Sequence, residues 1–130
     1  MRNWIEEHWI NCIAILWNAA RCDTRTATTT MSIEALDVTT GHRRWSSLLA
    51  SGADIRRYSG GVLSTGGGLV FTGYESVFLA LDADTGKKLW SVPLAGIINA
   101  PPISYSIEGQ QYVEVIAGQT MFTFALPRTR

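Results

Sequence analysis

Ala35-Leu36-Asp37-Val38-Thr39-Thr40-Gly41-His42-Arg43-Arg44-Trp45 returns 45 residues later as Ala80-Leu81-Asp82-Ala83-Asp84-Thr85-Gly86-Lys87-Lys88-Leu89-Trp90. Ala, Leu, Asp, Thr, Gly and Trp coincide in register. A third copy is visible in part: Ala125-Leu126 lies 45 residues beyond Ala80-Leu81, Gly118 beyond Gly73, and Val115-Ile116 beyond Val70-Phe71. A repeat of this length made of short apolar runs belongs to propeller blades of four strands. Each copy also has the chemistry of a hairpin. Asp82 ends one strand, and its carboxylate can accept backbone N–H bonds across the turn. Thr85 adds a hydroxyl to the same turn, and Gly86 supplies the positive φ of a bulged hairpin. Trp90 then lies on the returning strand, suited to cover a neighbouring blade, while Ala80 leaves room for close approach. A single copy reads equally well as an ordinary hairpin with a buried Trp; two copies in register speak for a repeat.

Around this repeat the pattern stays β from Met31 onward. Ile33, Ala35 and Val38 begin it. Gly61–Thr65, Gly68–Thr72, Val77–Asp82, Lys88–Val92, Ile103–Ser106, Tyr112–Ala117 and Met121–Leu126 follow, each short and bounded by turn residues. The expected turns are Thr40-Gly41, Thr85-Gly86 and Glu108-Gly109. The fold class is therefore all-β, a partial β-propeller over 31–127, with a tail at 128–130. Residues 1–30 read differently. Trp9, Ile13, Leu16 and Trp17 recur at helical spacing and predict a short amphipathic helix, and the Thr-rich run from Asp23 to Thr30 reads as extended or disordered.

Composition narrows the function classes. The chain has 130 residues, with eleven basic and eleven acidic side chains and a formal net charge of zero. That gives no electrostatic footprint for nucleic acid or an anionic membrane. No apolar run reaches the ~18 residues of a membrane span. Glu6 and Glu7 close to Arg2, with a short, interrupted apolar stretch behind them, make no convincing signal peptide. Cys12 and Cys22 fit neither a CxxC pair nor a zinc pattern, and whether they form a disulfide is left open. His8 and His42 have no second metal ligand at useful spacing, and His42 reads as solvated. Asp82-Ala83-Asp84 falls short of a calcium loop, because its Gly comes one place early and the twelfth position lacks Glu. Gly66-Gly67-Gly68 has no Lys-Ser/Thr and no helix behind it, so it reads as a turn rather than a phosphate loop.

The motif Ala-x-Asp-x-x-Thr-Gly-x-x-x-Trp resembles the tryptophan-docking repeat of pyrroloquinoline-quinone propellers. Ser59-Gly60-Gly61-Val62-Leu63-Ser64-Thr65, Gly67–Gly73, Ile98-Asn99-Ala100-Pro101-Pro102-Ile103, Gln111-Tyr112-Val113 and Phe124-Ala125-Leu126-Pro127 follow in order. Together they are similar to the end of the quinoprotein alcohol, ethanol and methanol dehydrogenases, over residues 31–127. The resemblance implies the last two to three blades of an eight-bladed propeller, with the quinone and a calcium or lanthanide ion on its axis. It implies a periplasmic enzyme oxidising primary alcohols with an electron acceptor. The family's catalytic Asp, its metal-binding Glu and Asn, its vicinal Cys pair and its ring-stacking Trp have no matching positions here. This chain is thus expected to carry no catalytic residue and no metal ligand, and to be inactive alone.

What the resemblance does place here is a set of cofactor contacts. Gly60, Gly61 and Val62, together with Asn99 and Ala100, enter innermost strands, where paired glycines would let backbone approach a flat ring. Asn99 could offer its amide to a ring carbonyl or carboxylate. An equal reading is that the glycines only shape the strand entry and Asn99 only caps a turn. The expected partners are the missing propeller blades or further copies of the chain itself. A second function remains beside the enzyme: a non-enzymatic module of the same repeats for scaffolding or protein binding.

Overall fold

A computed structural model describes residues 13–19, 29–52 and 59–125, with side chains placed from Thr30 to Gly52 and from Gly60 to Ala125. All regular structure among these residues is β. The strands are β1 (Ile13–Ala19), β2 (Thr29–Asp37), β3 (Arg43–Gly52), β4 (Ser59–Ser64), β5 (Leu69–Tyr74), β6 (Val77–Asp82), β7 (Lys88–Pro93), β8 (Ile103–Ile107), β9 (Gln110–Ala117) and β10 (Thr120–Ala125). They form three sheets, ordered β1-β2-β3, β4-β5-β6-β7 and β10-β9-β8. Every pairing between named strands that the residue registers define is antiparallel. Each sheet is thus a meander of sequence neighbours, the arrangement of a propeller blade.

The expected helix over Ile13, Leu16 and Trp17 is corrected to a strand. β1 runs antiparallel to β2 from Ile13↔Asp37 to Ala19↔Met31. Two isoleucines and a tryptophan within Ile13–Ala19 favour extended backbone. The edge of β2 offers seven residues a ladder, whereas an isolated helix of this length is marginal. β2 starts at Thr29, so the β region begins ahead of Met31. Cys12 and Cys22 lie outside the described residues.

The turns follow the local chemistry. Asp37 and Asp82 each accept two backbone N–H bonds on Oδ1, from Thr39 and Thr40 and from Asp84 and Thr85, at 2.8 to 3.2 Å. Gly41 and Gly86 stand at φ +72° and +70°. Glu108 and Gly109 both have positive φ, +49° and +77°, the pair of values that a two-residue hairpin between β8 and β9 demands.

The chain divides into two compact units. The first contains the sheet β1–β3 and the turn Asp82–Lys87. In it Met31, Ile33, Ala35 and Trp45 are buried on one face of the sheet. The Trp45 indole N–H donates to the Ala83 carbonyl at 2.8 Å. Its ring lies where a side chain on Gly86 would stand, 2.4 Å from the position a Cβ would take. The second unit contains β4, β5, most of β6, and β7 to β10. Its core joins Phe71, Phe78 and Ala80 to Val113, Val115 and Ala117, with Ile98 between them and Phe122 and Phe124 packed alongside. Phe78 is fully buried, stacks on Phe71 at 5.9 Å and meets Phe124 at 5.6 Å. Burying one such side chain stabilises a fold by about 1.5–3 kcal/mol.

Trp90 does not share the seat of Trp45. It is 40% exposed and lies edge-on to Phe78 and Phe124, at 6.0 and 5.2 Å. The same residue at the same place in the repeat thus has two environments, because its burial depends on what comes to cover it rather than on its own hairpin.

Candidate functional site

Two stretches expected to enter innermost strands meet in the structure. β4 opens with Ser59-Gly60-Gly61-Val62, and its ladder with β5 slips between Ser59↔Tyr74 and Val62↔Thr72. The bulge takes up Gly60 and Gly61. Gly61 has φ +70°, open to glycine at no steric cost. A Cβ on Gly60 would stand 3.0 Å from the Ala100 carbonyl oxygen and 2.3 Å from Ile98 Cγ2. One on Gly61 would stand 2.9 Å from Pro101 Cβ. Gly60, Gly61 and the run Asn99-Ala100-Pro101 are therefore neighbours, although about forty residues of chain separate them.

The same distances explain the paired glycines from inside the protein. Ile98 is fully buried, and it also stands 2.7 Å from where a Cβ on Gly73 would be. It is anchored by its N–H to the Glu75 carbonyl at 2.7 Å and by a β-bridge to Ala117. Ile98 and Pro101 thus occupy the side-chain space that Gly60, Gly61 and Gly73 leave open. The Gly61 carbonyl accepts from the buried Thr72 hydroxyl at 2.8 Å, which fixes the bulge. Sequence reasoning missed Ile98 and Thr72 as the residues that set this corner. The close spacing of glycines in β4 and β5 was the available signal, since such glycines mark a close approach.

Asn99 is exposed. Val62 and Ala100 are half-buried. This edge of the corner therefore presents the exposed Asn99, while Ile98 and Pro101 fill the side-chain space of the glycines. Among the described residues no three His, Cys, Asp or Glu side chains come together to hold a metal ion.

The same region carries the likeness to known proteins. Residues 53–113 match the family described as the glucose/ethanol/alcohol dehydrogenase β-propeller domain that bears the PQQ name. Those residues are thus similar to a segment of that propeller domain. A quinohemoprotein alcohol dehydrogenase of Pseudomonas putida is 48% identical over 62 residues, 47% of this chain and 9% of the relative. The quinoprotein alcohol dehydrogenase PedE of Pseudomonas putida is 39% identical over 88 residues, 67% of this chain and 13% of the relative. Among solved structures, the quinohemoprotein alcohol dehydrogenase of Comamonas testosteroni superposes with a TM-score of 0.64 at 27% identity, covering 78% of this chain and 18% of that one. The three antiparallel sheets are accordingly similar in fold to part of that β-propeller. The chain spans a small fraction of the length of the relatives it matches.

Proposed function

We propose that this chain supplies late blades of a pyrroloquinoline-quinone-dependent alcohol dehydrogenase propeller, of eight blades and periplasmic in the family it resembles, acting on a primary alcohol and passing electrons to a separate acceptor. The observation that carries the reading is the meeting of Gly60-Gly61 with Asn99-Ala100-Pro101 at one corner, within the stretch that matches the family. A quinone held by such a propeller would supply hydride acceptance from the alcohol, and a calcium or lanthanide ion there would supply Lewis acidity. The part left to this chain is to bound the cofactor. Ile98 and Thr72 hold the bulge of β4 rigid, so that backbone near Val62 and Ala100 keeps a fixed position. Asn99 directs a neutral amide that can both donate and accept. The seating of Trp45 on Ala83 and Gly86 supports the tryptophan-docking reading of the repeat.

Base and metal ligands are assigned to portions of the propeller outside this chain. Purified chain with quinone and calcium is therefore expected to give no dye-linked oxidation of ethanol or methanol. Titration with quinone should give no saturable tryptophan quenching at micromolar concentrations. Turnover above the protein-free blank, or saturable micromolar binding, would show that the chain builds a complete site and would overturn the assignment of late blades alone.

A further inference from the structure

We draw no further inference here: the strongest candidate, the outward face of the sheet β8–β10 where exposed Ile103, Ile116 and Met121 surround the Glu114 carboxylate bound by the Tyr105 and Thr123 hydroxyls, carries none, because nothing in the structure shows what covers it.

Discussion

Trp45 shows how one side chain ties a turn to a sheet. Its N–H bonds the Ala83 carbonyl, and its ring fills the place where Gly86 has no side chain. The need for glycine at position 86 is thus double: the backbone sits at φ +70°, and the tryptophan leaves no room for a methyl group. Trp45→Ala should cost on the order of 3–5 kcal/mol, as for other buried aromatics. Trp45→Phe keeps much of the ring and loses chiefly the bond to Ala83, a smaller cost of about 1–3 kcal/mol for the carbonyl left unpaired. Gly86→Ala should rank with the larger loss, since both strain and overlap act. Urea unfolding followed by near-ultraviolet circular dichroism measures the order. A Gly86→Ala protein as stable as the parent would mean that Trp45 is not seated as described. The residue pattern announced both positions, because Thr-Gly and Trp recur. It did not announce that Trp45 would be sheathed and Trp90 left 40% exposed, since a covering partner is not encoded in the hairpin that carries the ring.

At the scale of elements, what was legible was what is local. The hairpin turns are written in Asp, Thr and Gly within five residues, and all three expected turns have positive-φ glycines. The strands from β4 to β10 fall within a few residues of their apolar runs. β1 was misread because its identity depends on a ladder with β2, whose register no local period reveals. The filling of the corner beside Gly60 and Gly61 was illegible for the same reason: Ile98 arrives from the far side of a hairpin pair. The turns also make a pH prediction. The Thr85 hydroxyl and then its backbone N–H hold the Asp82 carboxyl below the usual carboxylate range, and the backbone N–H groups of Thr40 and Thr39 do the same for Asp37. A carboxyl whose folded pKa is depressed stabilises the fold above its unfolded pKa, near 3.9, and loses that contribution as pH falls through the folded value. The urea midpoint should therefore be level with respect to these groups above about pH 5 and fall below about pH 4. Asp37→Ala with Asp82→Ala should lower the midpoint at neutral pH and flatten the acid limb. An acid limb of unchanged slope in that double variant would assign the transition to other carboxylates.

For the whole molecule, balance of charge and uncovered apolar faces act together. The formal net charge is zero and the isoelectric point lies near pH 6.7, so long-range repulsion between copies is weakest at neutral pH. Leu48, Ile103, Ile107, Ile116 and Met121 are each roughly half exposed or more at the same time. Large uncovered apolar faces drive association. Two kinds of association are then distinguishable by salt. Association through paired surface charges weakens as ions screen it, with a screening length of about 10 Å at 0.1 M. Indiscriminate apolar association strengthens in sulfate, which is excluded from protein surfaces. Light scattering of dilute chain should peak near pH 6.7 and fall on both sides, as net positive charge grows below and net negative charge above. At that pH, raising sodium chloride from about 0.02 to 0.2 M should reduce the scattering, because the Debye length shortens about threefold over that range. Sulfate at high concentration should raise it again. Scattering that rises steadily from the first addition of sodium chloride would place the apolar faces, and not paired charges, in control of how copies meet.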